Sequence, residues 1–290
     1  MQYPLLALMF ALHCRFAVDR FVGSFRLELL VGAFSAVFFA VKTKATPASC
    51  ALPPWSVTRE DKSAAPTVFF SLLFVYGVAA TSTIRFSSFV KILDGEMRNV
   101  IMQVFSTLAW AIPSSVAMFR SLNFAPSEDT TARWFGFDLR QKNLAWWVFG
   151  FFSMNLLAEH YMQKLSIGLS RLLLPAVAIA GPDLQTKAVL VSSFSGVAYC
   201  IRLFSACVLA PVWEELLYRG FVMPALGQVL PLKAAVLLSS LLFAAHHQSA
   251  VHFLGLTSCG LAAGWLTVKT HNLWPSMLLH ALWNTRASLF

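Results

Sequence analysis

Apolar runs separated only by short polar hinges fill most of this chain, and they point to lipid rather than water as its surrounding solvent. The clearest are 66–84, 99–119, 144–158, 165–180, 188–213, 234–247, 251–268 and 273–285. Crossing a bilayer takes about 20 mostly apolar residues. The runs 99–119, 188–213 and 251–268 reach that length; the shorter ones need flanking residues or burial among neighbours. No segment alternates with the two-residue period of a barrel strand, and GxxxG-type or repeat periodicity is weak. The expected fold is all-α, a polytopic transmembrane bundle of about six to eight helices with a polar cavity in its C-terminal half.

Composition agrees. Of 290 residues, 58% are hydrophobic, 12% are charged and 26 are Phe, whereas soluble domains carry about a quarter charged residues. The net charge of +9 raises the question of nucleic acid, but the basic residues lie scattered between apolar stretches. Such residues flank membrane spans and face anionic headgroups. Too little solvated basic surface remains for a nucleic-acid interface, so the lipid bilayer is the expected partner and nucleic acid is not. The five cysteines, at 14, 50, 200, 207 and 259, form no CxxC pair and read as packing residues in apolar helices.

Three regions follow: 1–65, 66–187 and 188–290. In the first, Pro4–Cys14 is apolar but too short to span, and Arg15, Arg20 and Arg26 follow it. A second run, Leu29–Val41, leads into a polar stretch over 42–65. A signal or organelle-targeting presequence fits this order, and so does an extra amphipathic or spanning helix. The absence of positive charge before the first run weighs against a signal peptide. The second region comprises the N-terminal transmembrane helices, with the polar stretch 120–143 as a loop. The third carries the chemistry.

From Lys187 to Phe290 the only carboxylates are Glu214 and Glu215, adjacent in sequence. An ionisable group in a membrane core costs roughly 2.5–3.5 kcal/mol on insertion scales, so two in succession beside VLAPVW need a reason. Five of the seven histidines, 246, 247, 252, 271 and 280, lie in the same region. A polar clamp between helices accounts for isolated residues; it accounts poorly for three separate clusters.

Spacing sharpens the reading. In PVWEELLYRG, Glu215 and Arg219 are i and i+4 with the acid N-terminal, the better order for an ion pair. Glu214 lies about 100° round the helix and is free to point elsewhere. In SSLLFAAHHQ, Phe243 and His247 share a face while His246 turns away. In LWPSMLLHALWN, His280 and Asn284 share a face, and Pro275 suits the first turn of that helix. A carboxylate, an imidazole, and a second imidazole with an amide thus arrive from three helices. Hydrolysis needs such an inventory: a base to activate water, and donors for the developing oxyanion.

In that order, EExxxR (Glu214, Glu215, Arg219), FxxxH (Phe243, His247) and HxxxN (His280, Asn284) resemble the three motifs of the CAAX protease and bacteriocin-processing family of membrane endopeptidases. The resemblance covers roughly 188–290. It implies that Glu214 and His247 activate water, that His280 and Asn284 hold the oxyanion, and that Glu215, Arg219 and Phe243 support the site. It also implies a membrane-associated protein or peptide substrate, prenylated at a CaaX terminus in part of the family. The short interval from His247 to His280 and the phrase NLWPSMLLHALWN are similar to the bacterial and plastid branch, which implies a multi-pass protein of a plastid or other organelle membrane. No organic cofactor and no metal are implied. A zinc enzyme could draw on His246, His247, His252 and Glu214, but there is no HExxH. Serine chemistry lacks a GxSxG elbow, and no inverted repeat of acidic spans supports a transporter. The main rival is a catalytically silent scaffold of the same fold.

Overall fold

The computed structural model describes residues 95–121, 137–173 and 196–289, except positions 142, 228 and 248, together with scattered positions before residue 91. Among the described residues there is no strand, and the regular structure is helical. Six helices follow in order: α1 Gly95–Ser121, α2 Leu144–Leu173, α3 Gly196–Gly227, α4 Leu232–His246, α5 Phe253–Thr270 and α6 Leu273–Leu289. The presequence question for 1–65, and most of the 66–84 run and of the 120–143 loop, lie outside the described residues.

Two boundaries differ from those expected. The run 144–158 and the described part of the run 165–180, up to Leu173, belong to one helix of 30 residues. Their polar hinge, EHYMQK, contains neither Gly nor Pro, so nothing interrupts the backbone ladder. The run 188–213 does not stop at the glutamates either, because α3 continues through EELLYR to Gly227. At 32 residues and a mean hydropathy of 1.6, α3 is the one described helix long and apolar enough to cross a bilayer. Val100–Val116 and Leu232–His246 are shorter apolar helices.

The surface is the reverse of a water-soluble protein's. Val197, Ile201, Phe204, Val208 and Val212 form an exposed apolar stripe down α3, and Leu108, Ile112 and Val116 form another on α1. Polar groups sit inside instead: Glu214, Glu215, Arg219, Asn155 and a set of serines and threonines are buried. Apolar faces of this extent suit contact with lipid, and ionisable side chains then turn toward the bundle interior.

Helix α5 lies between α2 and α4. One side packs Ala263 and Leu266 against Leu144, Val148 and Phe152 of α2, with Leu279 of α6 closing the cluster. On the other, Gly260 and Gly264 let α4 approach closely. A Cβ at Gly260 would lie 2.8 Å from Ser240 Cβ and 2.9 Å from Ser240 Cα, and one at Gly264 would lie 3.1 Å from Val236 Cγ1. This GxxxG pair works as such pairs do in membranes, by letting backbones meet. Gly260→Ala is therefore expected to separate α4 from α5 and lower stability by about 1–3 kcal/mol. Thermal unfolding of the purified protein in detergent reads it; an unchanged midpoint would mean the helices have slack at this crossing.

The α5–α6 turn is tied to the start of α2. His271 adopts the left-handed conformation (φ 52°) that ends α5, a geometry in which Asn, Asp and His are enriched among non-glycine residues. Asn272 then accepts from the Trp274 N–H at 3.0 Å and the Asp138 N–H at 3.2 Å. Its amide donates to the Asp138 carbonyl at 2.7 Å and to Gln141 Oε1 at 3.0 Å. This clasp fixes the antiparallel registers that carry the site.

Candidate active site

The middle of α3 carries the two glutamates and is not a plain α-helix. Ser205–Leu209 and Leu216–Val222 are π-helical and flank the α-helical segment Ala210–Glu215. Such widened turns often mark functional sites, and here a local cause is visible. The Ala210 N–H bonds to the Ser205 carbonyl, five residues back. The next donor in that pattern would be Pro211, which has no N–H, so the Ala206 carbonyl needs a partner from outside. Asn284 of α6 supplies it, its Nδ2 donating at 2.7 Å. One of the two amide hydrogens expected to face a substrate is thus committed to the helix.

The glutamates have different surroundings. Glu215 is wholly buried, with 0% exposure. Its Oε1 accepts from Arg219 Nη1 at 2.8 Å and lies 2.9 Å from His280 Nδ1. Arg219, 2% exposed, also donates from Nη2 to the Gly260 carbonyl at 3.1 Å, and its guanidinium sits 4.7 Å over the Phe243 ring. Glu214 is 7% exposed. Its Oε2 lies 3.7 Å from His280 Nε2, too far for a hydrogen bond, and has no hydrogen-bond partner among the described residues. His280 therefore stands between two carboxylates. Because Nδ1 faces the Glu215 carboxylate it donates there, leaving Nε2 toward Glu214.

His247 ends α4 and is exposed. Its Nδ1 is 2.9 Å from the Phe243 carbonyl, an acceptor only, so Nδ1 donates and the neutral ring keeps its lone pair on Nε2. The Phe243 ring meets His247 edge-on at 4.9 Å and His280 at 5.6 Å, which makes it a spacer between the two imidazoles.

These residues surround a pocket with a cavity volume of about 50 Å³. Glu215, Arg219, Phe243, His247, His280 and Asn284 line it, together with Asn155, Leu256, Cys259, Ala263, Leu279 and Trp283. Glu214 is not part of this lining; its Oε2 lies 3.7 Å from Nε2 of His280, which is. Six of the seven residues singled out by sequence thus share one pocket, and the seventh adjoins it. Sequence reasoning missed Asn155 and Cys259, joined by a 3.2 Å contact from Asn155 Nδ2 to the thiol. The available signal was a lone Asn inside the apolar run of α2.

His246 points elsewhere. Its Nδ1 is 2.9 Å from the Tyr218 hydroxyl, and its ring packs 4.0 Å from Trp110 and 5.4 Å from Trp213. His252 Nδ1 is engaged by Gln163 Nε2 at 2.7 Å. The set His246, His247, His252 and Glu214 is therefore not gathered around one point. Among the described residues no three His, Cys, Asp or Glu side chains are grouped to hold a metal ion.

A family model described as type II CAAX prenyl endopeptidase Rce1-like matches residues 196–286. Residues 196–286 are an Rce1-like domain. No curated protein and no solved structure matches the chain. The Rce1-like domain takes in α3, α4, α5 and nearly all of α6, and with them every motif residue described above. Asn155, on α2, lies outside it.

The Asn284 contact has a measurable consequence for the Rce1-like domain. Asn284→Ala leaves the Ala206 carbonyl without its donor, and an unsatisfied group of this kind costs about 1–3 kcal/mol. Asn284→Asp should be no better, since its carboxylate cannot donate. A wild-type melting temperature in both variants would show that Asn284 does not brace α3.

Proposed function

We propose that this protein is a multi-pass, glutamate-dependent intramembrane endopeptidase acting on membrane-associated proteins, with prenylated CaaX termini as the favoured substrate class. The observation that carries this reading is the gathering of His247, His280 and Asn284 on one pocket beside the Glu214–Glu215 pair, within an Rce1-like domain. Glu214 takes a proton from water as its oxygen attacks the scissile carbonyl, and His247 Nε2 orients that water. The developing oxyanion is met by the remaining amide hydrogen of Asn284 and by an N–H of His280. The C–N bond then breaks as Glu214 returns its proton to the leaving amine. Glu215 and Arg219 hold His280 in place. The buried Glu214, whose Oε2 makes no hydrogen bond to a neighbouring helix among the described residues, favours an enzyme over a silent scaffold of the same fold.

In this mechanism hydrogen-bond donors, rather than a cation, stabilise the oxyanion. Prolonged exposure to a membrane-permeant chelator should leave activity intact, and metal analysis of the purified protein should find no stoichiometric zinc. Activity that vanishes and returns with zinc would make His247 a ligand and overturn the scheme. The function itself is tested by comparing the termini of membrane proteins in cells carrying wild-type or Glu214→Gln protein. A terminus present only with the wild type identifies the substrate; identical termini in both would reject the endopeptidase.

A further inference from the structure

Hydrolysis within a bilayer has a supply problem. A peptide bond plus one water yields a carboxylate and an ammonium with no net proton exchanged, so water is the one co-reactant that must reach the pocket. Helix α2 bears polar residues that the mechanism above does not use. Asn155, Glu159, Gln163, Ser166 and Ser170 are spaced i, i+4, i+8, i+11 and i+15, one face of a helix. The opposite face presents Met154, Tyr161, Met162, Leu165, Leu169 and Leu172 outward. The polar face packs on α5.

We propose that this face of α2 is the water inlet of the pocket, an inference that rests on the endopeptidase reading. At its inner end Asn155, 3% exposed, lines the pocket with Cys259 and accepts from Ser258 Oγ at 3.2 Å. One turn on, the Glu159 carboxylate is an electrostatic neighbour of Cys259. A further turn on, Gln163 Nε2 meets His252 Nδ1 at 2.7 Å and the Val251 carbonyl at 3.1 Å. His252 and Val251 belong to the turn between α4 and α5, where the chain leaves the helices. The file therefore runs from a helix-end turn to the pocket wall.

Gly255 makes room for it. A Cβ there would lie 2.6 Å from Gln163 Oε1 and 3.5 Å from Glu159 Cγ, so a larger residue would displace the polar side chains from the seam. A clamp between two helices would need only the Asn155–Ser258 contact. A carboxylate half-buried against α5 goes beyond that need, and in a lipid-facing helix it is costly.

The test measures water access separately from proteolysis. The full-length protein, with Cys14, Cys50, Cys200 and Cys207 replaced by alanine, is placed in lipid nanodiscs. Ag⁺, a small thiol-seeking ion that travels through water, is applied, and protection of Cys259 from later alkylation by N-ethylmaleimide is followed by mass spectrometry. Gln163→Met keeps the volume and removes the polarity; it should slow Ag⁺ protection at least about tenfold, an effect of 1.4 kcal/mol on a barrier. Glu159→Met should do the same, and Glu159→Gln should do so far less. Leu165→Ala, on the lipid face of the same helix, should change nothing. In peptide cleavage, the two Met variants should lose kcat with KM held. Unchanged Ag⁺ protection in both Met variants overturns the inlet. Absence of cleavage in the wild type rejects the endopeptidase instead, and the Ag⁺ result still decides whether the seam is wet.

Discussion

Glu214→Gln should abolish cleavage and leave the protein folded. The glutamine keeps the shape of the side chain and removes the base. Little structural penalty is expected, because Glu214 Oε2 has no hydrogen-bond partner among the described residues and its nearest ionisable neighbour, His280 Nε2, is 3.7 Å away. A positioned general base contributes roughly 10²–10⁴-fold, so turnover should fall by at least that range. The comparison that gives this result meaning is Glu215→Gln. Glu215 carries the Arg219 pair and the His280 contact, so its amide should lower yield and melting temperature first and activity as a consequence. The pocket lining contains Glu215 rather than Glu214, which makes the reverse outcome a real alternative. Clean inactivation by Glu215→Gln at normal yield, with loss of yield in Glu214→Gln, would exchange the two roles.

Much of this geometry was legible in the chain. Apolar run length located α1, α4, α5 and α6 to within a few residues, and i,i+4 spacing paired Glu215 with Arg219 and Phe243 with His247 because those contacts lie within one helix. The join of 144–158 with 165–180 was not legible from hydropathy, which registers the polar hinge but not its helix-forming residues. Gly260 and Gly264 stood in plain GxxxG order, yet periodicity read as weak, since one such pair is significant only once Ser240 and Val236 are seen opposite. Asn284 shows the same limit. Its spacing from His280 was visible, but its use depends on a carbonyl that Pro211 leaves open on another helix. Asn155 and Cys259 are 104 positions apart, and no local pattern connects them.

Arg219→Met should produce the largest loss of stability among single substitutions at the site. The guanidinium joins three helices beside its own acid: it pairs with Glu215 on α3, donates to the Gly260 carbonyl of α5, and covers the Phe243 ring of α4. Glu215 in turn orients His280 of α6. Removing the cation leaves a carboxylate of 0% exposure without its strongest partner, and breaking a buried pair in this way costs about 3–5 kcal/mol. Lysine cannot replace it, because a single ammonium cannot match the planar fork that reaches Glu215 and Gly260 together while stacking on a ring. The double substitution Glu215→Gln with Arg219→Met separates charge from packing. With both charges gone the desolvation penalty disappears, so the pair should recover a good part of the stability lost by Arg219→Met alone. Thermal unfolding of the four proteins in one detergent completes the cycle. If Arg219→Met melts like the wild type, or the double variant is as unstable as the sum of its parts, the buried pair does not hold these helices together. His280 would then be held by Glu215 without support from the guanidinium.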